Sequence, residues 1–253
     1  MPENARHPED DTASAGFHLL LLPAFELSRH GRRLRMPAGA QRLLAFLALS
    51  DRPQHRGVVA GRLWADLPGD RSAAALRTTL WQVRRAVPDL VASHGPQLGL
   101  CPSVAVDLHE SVRWIRLLEA GERPGECRLA ALGHDLLPEW LDEWVVVERE
   151  RYRQIRLHAL ETLCRRLTEV RDHASAIEAG LSAVSADPLR ETAQRVLIEA
   201  HIAEGNLSEA VRQYRSYARL LRLELGVEPT APLAALLPDA AHTYRVGTAA
   251  SRP

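Results

Sequence analysis

The chain contains no lysine, so all 32 of its positively charged side chains are arginines. A phosphate-binding loop of the Walker A type needs its lysine, and this absence excludes a P-loop NTPase within the 253 residues. No apolar run approaches the roughly 20 residues that span a bilayer. Residues 19–22 are apolar but too few, and wrongly flanked, for a signal peptide. We therefore expect a cytoplasmic protein without membrane contact.

Cysteine is also scarce. Cys101, Cys127 and Cys164 are an odd number at wide spacing, which fits neither a disulfide framework nor a zinc module, so we expect free, buried thiols. The chain has no HExxH or GxSxG motif and no metal-spaced cluster of Cys or His. The 11 histidines are scattered, and His158 and His201 lie inside predicted helices as core or rim residues. We expect no enzymatic activity, no cofactor and no metal.

The net charge is zero overall but unevenly distributed. Residues 17–113 carry 13 arginines and 7 carboxylates, a net charge of +6. Residues 1–16 and 114–253 each carry a net charge of −3. This asymmetry predicts that the first half of the chain meets a polyanion.

The most informative segment is residues 70–87. Leu76, Leu80, Val83 and Val87 recur at helical spacing and form one apolar stripe. We expect the helix to begin at Asp70 or Ser72, either of which can cap free N–H groups, and to end before Pro88.

The opposite face of this helix has no carboxylate. It presents arginine, threonine, tryptophan and glutamine side chains, which can bond phosphates and base edges. The pattern favours a recognition helix for the DNA major groove, and an ordinary basic surface helix is the alternative. The residues concerned are Arg77, Thr78, Trp81, Gln82, Arg84 and Arg85.

The flanking segments predict a winged helix-turn-helix, in which a third helix enters the major groove and a hairpin follows. We expect a disordered tail, a small antiparallel sheet with a His30-Gly31 turn, two short helices before the basic helix, and a hairpin with a Gly95-Pro96 tip. In order, the predicted elements are the tail at 1–16, strands at 17–22, 24–29 and 32–36, helices at 41–49 and 58–65 (the latter burying Val59, Leu63 and Trp64), the basic helix, the hairpin at 90–100 and a strand at 104–108.

The second half is predicted to be helical at 112–119, 145–170, 174–186, 189–204 and 208–225, with a loop at 121–125 and a short helix at 233–237. Ala159 and Leu163 recur 34 residues on, and Ala176-Ile177 recurs at residues 210–211. This is the period of tetratricopeptide helix pairs, and a generic helical bundle is the alternative. Trp140 and Trp144 are either anchors for a partner or core residues.

Taken together, the chain resembles the Streptomyces antibiotic regulatory protein (SARP) family, which joins an OmpR-like winged helix to a bacterial transcriptional activation domain. The resemblance covers residues 17–237. It implies a mainly α fold with small β elements: a disordered tail at 1–16, a winged helix-turn-helix at 17–108, a tetratricopeptide-like activation domain at 109–237 and a flexible tail at 238–253. The segments that carry it are GAQRLLAFLAL (39–49), ALRTTLWQVRRAVPDL (75–90), VAVDLHE (104–110), LLPEWLDEWVVVERERYRQIRLHALETL (136–163) and, most specific, ADPLRE through LGVEPT (186–230).

The resemblance implies an activator that binds tandem direct repeats in promoter DNA as a homodimer and contacts RNA polymerase holoenzyme. Larger members add an ATPase domain and sensor repeats, so we expect no nucleotide switch in this chain. Trp81 and Gln82 stand where many relatives have Ser and Arg. The base preference of relatives therefore cannot be transferred to these two positions.

We assign DNA-contact roles to nine residues as hypotheses. Arg77, Gln82 and Arg85 contact base edges, while Thr78, Thr79 and Arg84 contact phosphates. Trp81 either packs on a deoxyribose or braces its helix. Arg42 and the hairpin around His94 add backbone contacts. A tetratricopeptide adaptor whose winged helix binds protein is the alternative, and the net charge of +6 argues against it.

Overall fold

The computed structural model describes residues 16–50, 52–122 and 132–238. Apart from Gly16 and Pro238, the two predicted tails lie outside these residues, as do Cys127 and most of the predicted loop at 121–125. Contacts divide the described chain into two units, the first made of 16–113 and 134–152 and the second of 114–122, 132–133 and 153–238. The predicted domain limits stay a prediction, although residues 134–152 group with the first unit.

The first unit combines two small sheets with short helices. Its elements are β1 (Phe17–Leu20), β2 (Glu26–Arg29), β3 (Arg32–Leu34), α1 (Ala38–Leu49), β4 (Gln54–His55), α2 (Arg56–Leu63), α3 (Gly69–Ala86), a 3-10 turn (Pro88–Leu90), β5 (Val91–His94), β6 (Gln97–Leu100), β7 (Val104–Val106) and the start of α4 (Asp107–Glu119).

The N-terminal sheet has the strand order β3-β2-β1-β7. The predicted antiparallel pairing of its first three strands is confirmed, with Leu19 opposite Leu27 and Leu27 opposite Leu34. His30 and Gly31 both have positive φ, 48° and 76°, which suits a tight hairpin turn. The parallel pairing of β7 with β1 was not predicted, because nothing local in the sequence signals a partner so distant along the chain.

Asp107 fixes the junction between β7 and α4. Its carboxylate accepts hydrogen bonds from the N–H groups of Leu21 at 2.9 Å and Leu22 at 2.9 Å, and from that of Leu108 at 2.7 Å. Burial raises the pKa of Asp107, and the three N–H groups oppose that shift. The prediction of a strand to Leu108 and a helix from Val112 was therefore wrong, since α4 begins at Asp107.

Three helices form the core of the first unit. The prediction that residues 41–49 are strongly buried is confirmed, with Leu43 and Leu44 of α1 almost fully buried. In α2, Val59 and Leu63 are buried as predicted, but Trp64 is half-buried and lies beyond the helix end. α2 begins at Arg56, two residues before the predicted start, because the Nδ1 of His55 accepts a hydrogen bond from Gly57 N at 3.1 Å and caps the helix.

The predicted hairpin with the Gly95-Pro96 tip is confirmed. β5 pairs with β6, and Gly95 supplies the positive φ of 58° at the turn. The two-residue strand β4, which was not predicted, pairs with the other side of β6 and gives a three-stranded wing in the order β4-β6-β5.

Residues 134–152 pack on this unit through an aromatic cluster. The ring of Trp144 lies edge-on to Phe46 at 5.2 Å, and the ring of Trp140 lies against Phe25 at 6.2 Å. The two indoles are themselves 6.4 Å apart. Both are half-buried, which supports the interpretation of Trp140 and Trp144 as packing residues rather than anchors for a partner.

The second unit is all-helical among its described residues. Its helices are the remainder of α4, residues 153–169 of α5 (Glu143–Glu169), α6 (His173–Ala186), α7 (Glu191–Glu204), α8 (Leu207–Leu225) and α9 (Ala231–Ala234). The predicted helices at 145–170, 174–186, 189–204 and 208–225 are confirmed with small shifts of their ends. The last short helix begins at Ala231 rather than 233, since Pro232 suits the first turn.

The 34-residue repeat is visible in the backbone. Gly205, between α7 and α8, has a φ of 88°, and Arg171, at the equivalent turn between α5 and α6, has a φ of 62°. Each is followed by a side-chain cap: the carboxylate of Asp172 accepts a hydrogen bond from Ser175 N, and the amide oxygen of Asn206 accepts one from Glu209 N.

The predicted repeat alanines lie in the helix interfaces. Ala159, Ala176, Ala193 and Ala210 are all fully buried. A Cβ added at Gly180 of α6 would lie 3.2 Å from the Cα of Leu197 in α7, so small residues allow close helix packing here. The tetratricopeptide-like arrangement is thus supported by helix order, turns and packing together.

The most specific sequence segments, ADPLRE and LGVEPT, form one bonded network. The guanidinium Nε of Arg190 lies 2.6 Å from the buried carboxylate of Glu161, and Arg153 pairs with Asp187 at 2.8 Å. The carboxylate of Glu191 accepts hydrogen bonds from both the N–H and the hydroxyl of Thr230. These residues join α5, α7 and the start of α9, which explains in physical terms why the segments occur together.

The predicted fold class, mainly α with small β elements, is confirmed. Within the described ranges, no helix combines the length and apolar character that crossing a bilayer requires. Cys101 and Cys164 are both free thiols; Cys164 is buried as predicted, whereas Cys101 is only half-buried.

Candidate nucleic-acid interface

Helix α3 lies between α2 and the wing in the chain. The prediction that Asp70 or Ser72 caps its start was wrong. The helix begins at Gly69 after Pro68. The hydroxyl of Ser72, which is buried, instead donates to Gly69 O at 2.9 Å. The predicted end is confirmed, because Val87 is extended and Pro88 follows.

The predicted apolar stripe is the buried face of α3. Leu76, Leu80, Val83 and Val87 are each 5% exposed or less. The stripe fixes the rotation of the helix in the unit. The side chains on the opposite face of α3 therefore point away from the core of the first unit.

The outward face carries most of the predicted DNA-contact residues. Arg77, Thr78, Trp81, Arg84 and Arg85 are exposed, and Gln82 is half-buried. Among the described residues, neither Arg77 nor Arg85 has a carboxylate partner within salt-bridge distance. The face therefore presents unpaired guanidinium groups, a hydroxyl, an indole and an amide, the set that phosphates and base edges require.

Thr79 does not belong to this face. Its side chain is 6% exposed, and its Oγ1 would lie 3.5 Å from a Cβ added at Gly39 in α1. The predicted phosphate contact of Thr79 is therefore wrong, because the hydroxyl packs against α1. One step along the helix, or about 100°, separates it from the exposed Thr78.

Arg42 is also occupied within the protein. Its Nε and NH2 both donate to one carboxylate oxygen of Asp142, at 3.1 and 2.5 Å. The prediction of a backbone contact from Arg42 does not fit this geometry, since its charge is already neutralised by a partner with which it forms two bonds.

Arg84 joins α3 to the wing. Its NH2 donates to the hydroxyl of Ser93 in β5 at 2.5 Å, while the side chain stays exposed. His94 lies exposed at the end of the same strand, next to the turn. The structure thus brings the predicted phosphate contact of α3 and the predicted wing contact to one continuous surface.

Trp81 and Arg85 form a pair on this surface. The guanidinium carbon of Arg85 lies 5.2 Å from the centre of the Trp81 ring, within the range of a cation–π contact. Trp81 is 58% exposed, so the interpretation of it as a partly buried structural residue does not hold.

Arg56 is a site residue that the sequence prediction missed. It is the first residue of α2, and its main-chain N–H donates to Pro96 O in the wing at 2.8 Å. Its side chain lines an open hollow of about 400 Å³ together with residues of α3, namely Arg77, Leu80, Trp81, Arg84 and Arg85. The sequence signal was His55 as a cap, which moves the start of α2 to Arg56.

Comparison with known proteins agrees with this architecture. Residues 128–238 match the family model of the bacterial transcriptional activator domain. Regulatory protein AfsR of Streptomyces coelicolor is 29% identical over 249 residues, 90% of this chain and 25% of that protein. AfsR of Streptomyces griseus is 28% identical over 205 residues, 77% of this chain and 21% of that protein. These similarities support a regulator of the SARP type.

A solved structure has the same fold as this chain. Mycobacterium tuberculosis EmbR, in complex with a low-affinity phosphopeptide, superposes with a TM-score of 0.66 at 19% identity, over 87% of this chain and 64% of that one. The chain spans about a quarter of the length of the curated relatives that it matches.

Proposed function

We propose that the chain binds promoter DNA in a sequence-specific way through the outward face of α3. Arg77, Arg85 and Gln82 contact base edges in the major groove. Thr78, Arg84 and Arg56 contact phosphates, and His94 in the wing contacts the neighbouring backbone. The supporting observation is that every cation of this face points outward, beside a wing, with no carboxylate among residues 71–88.

The charge distribution supports a nucleic acid as the partner. Residues 17–113, which contain α3 and the wing, carry a net charge of +6. Arginine is the preferred side chain for guanine O6 and N7, and glutamine suits adenine N6 and N7. A protein surface would have to desolvate several unpaired guanidinium groups, at considerable cost unless it supplied matching carboxylates.

Activation is the second half of the proposal. The chain binds direct repeats in promoter DNA as a homodimer, and its helical second unit contacts RNA polymerase holoenzyme. The activator-domain match and the AfsR relatives support this role. The protein is then cytoplasmic and associated with the nucleoid when it is bound, with no membrane partner.

The experiment is a selection of random double-stranded DNA with the purified chain at two salt concentrations, followed by affinity measurements on the enriched site. We expect Arg77→Ala and Arg85→Ala each to lose about 1–3 kcal/mol of binding free energy and to relax preference at one position. Arg212→Ala serves as the charge-matched control, since Arg212 is exposed in α8 of the second unit and pairs only with Glu209 among its described neighbours.

Two outcomes contradict the proposal. If no sequence is enriched at either salt, the protein-binding adaptor becomes the better explanation. If a sequence is enriched but Arg77→Ala and Arg85→Ala bind it as tightly as Arg212→Ala does, the DNA surface is not the face of α3.

A further inference from the structure

Trp81 is the only exposed aromatic side chain in the described part of the chain. The other aromatics there are buried or half-buried, including four tryptophans, three phenylalanines and three tyrosines. An indole that is 58% exposed leaves a large apolar surface in water. Its position, in the middle of a cationic helix face, indicates that this apolar surface is covered when the face is occupied.

Resting on the proposed DNA-binding function, we infer that Trp81 and Arg85 act as one unit that recognises a thymine next to a guanine. The indole packs against the thymine C5-methyl group. The guanidinium of Arg85, stacked on the indole, donates to O6 and N7 of the neighbouring guanine.

The chemistry of the major groove selects thymine for the indole. The C5-methyl of thymine is the one methyl group that a standard base presents there, beside edges that carry mostly hydrogen-bond donors and acceptors. An indole face forms no hydrogen bonds with those donors and acceptors. By excluding water, it would leave them without hydrogen-bond partners. A thymine therefore suits the exposed ring of Trp81 better than cytosine, adenine or guanine does.

The cation–π contact with Trp81 restricts where the guanidinium of Arg85 lies. Residues i and i+4 share one helix face, and long side chains lean towards the N-terminus, which brings Arg85 back over Trp81. A guanidinium held in this way still presents its fork of N–H donors. It loses less side-chain conformational entropy on binding than a freely moving arginine does. Such a fork matches the two acceptors of guanine.

The spacing of the pair places the two bases next to each other. The guanidinium carbon and the ring centre are 5.2 Å apart. Neighbouring base pairs are stacked about 3.4 Å apart, and bases two steps apart are separated by about 7 Å along the axis alone. A separation of 5.2 Å between the two side-chain groups therefore fits adjacent bases better than bases two steps apart.

Other arginines of the face have different surroundings. Arg84 donates to Ser93 in the wing, and no cation–π contact links it to the indole among the described residues. Arg77 has no aromatic ring within cation–π distance among the described residues. The coupled recognition of two adjacent bases is thus specific to Trp81 and Arg85.

The test uses base analogues in the enriched site, with affinities measured by fluorescence anisotropy on the full chain. Replacing each thymine in turn by uracil removes only the methyl group. Replacing each guanine by 7-deazaguanine removes only the N7 acceptor. The variants are Trp81→Ala, Arg85→Lys and, as a control, Arg212→Lys; thermal melts verify that all are folded, which we expect because the three side chains are exposed.

With the wild-type chain, we expect one uracil replacement to weaken binding about fourfold, the value of one buried methyl group. A 7-deazaguanine directly beside it weakens binding about tenfold. Trp81→Ala abolishes the uracil effect and reduces the neighbouring guanine effect, because Arg85 loses its support. Arg85→Lys reduces the guanine effect, because an ammonium lacks the planar fork of a guanidinium, and Arg212→Lys changes neither.

The outcomes separate this inference from the proposed function. A specific site without an adjacent, analogue-sensitive thymine and guanine overturns the inference and leaves DNA binding intact. The same holds if Trp81→Ala retains the full uracil penalty. If no sequence is enriched, both the inference and the proposed function are overturned.

Discussion

Thr78 and Thr79 are neighbours in the sequence with opposite surroundings. Thr78 is exposed and its hydroxyl donates to Ala74 O at 3.1 Å, whereas Thr79 is buried against α1. Helical periodicity alone places Thr79 at the edge of the apolar stripe, and the sequence prediction assigned it to DNA because of its hydroxyl. Side-chain chemistry therefore identified candidate contacts, but only the packing of α1 on α3 distinguished the two threonines.

Cys164 is a thiol that the fold protects. Its Sγ lies 3.4 Å from Val196 O, and burial, aided by the charge of Glu199, raises the pKa of Cys164 to about 11. Because the thiolate is the nucleophile, the native thiol is unreactive at neutral pH.

We expect iodoacetamide at pH 8 to leave Cys164 unmodified in the native chain and to modify it fully in urea, as measured by peptide mass spectrometry. The raised pKa also means that the folded state retains a proton that the unfolded state loses above pH 9. The contribution of the Cys164 thiol to the free energy of unfolding is therefore fully present below pH 9, and it is lost as the pH rises towards 11. Rapid modification of Cys164 in the native chain would contradict this account.

At the scale of elements, periodicity predicted α1, α3 and the four long helices well. The stripe of Leu76, Leu80, Val83 and Val87 is a local signal, and the structure buries all four residues. The β5–β6 hairpin was predictable because its signal is also local: Gly95 and Pro96 mark the turn between two strands that are adjacent in the sequence. Contacts between distant segments gave no such signal: the pairing of β1 with β7 and of Arg42 with Asp142 depends on residues about a hundred positions apart.

The segment 134–152 is the clearest example of a long-range element that the sequence did not reveal. Arg149 in α5 donates to the main-chain carbonyls of Leu136 at 2.7 Å, of Trp140 at 2.7 Å and of Leu137. These bonds hold the irregular segment in which the aromatic cluster lies. A guanidinium shared among three carbonyls is a charge-assisted contact, stronger than three ordinary surface bonds.

We expect Arg149→Ala to lower the unfolding free energy by about 2–3 kcal/mol, since three half-buried carbonyls lose their donor. The measurement is urea denaturation followed by tryptophan fluorescence. Arg151→Ala, two residues on in the same helix, removes an exposed side chain that pairs with Glu148 and should cost less than about 1 kcal/mol. Equal effects of the two substitutions would show that the three carbonyl bonds contribute nothing specific.

At the scale of the whole molecule, the sequence predicted two features from different kinds of evidence. The 34-residue period came from small residues at equal spacing, and the structure shows it again in the turns at Arg171 and Gly205. The uneven charge distribution follows from a count of arginines and carboxylates, which gives residues 17–113 a net charge of +6. Neither pattern predicts a base sequence, because base preference in the proposed function rests on single side chains such as Trp81 and Gln82.

The salt dependence of DNA binding tests the central claim, that the outward face of α3 binds DNA, most directly. The logarithm of the association constant should fall linearly with the logarithm of salt concentration, with a slope of about −0.9 per phosphate contact. The measurement compares the wild-type chain, Arg84→Ala and Arg212→Ala on the enriched site. We predict that Arg84→Ala makes the slope shallower by about 0.9, the contribution of one phosphate contact, while Arg212→Ala leaves the slope unchanged. A flat salt dependence, or identical slopes for the two variants, would contradict the account.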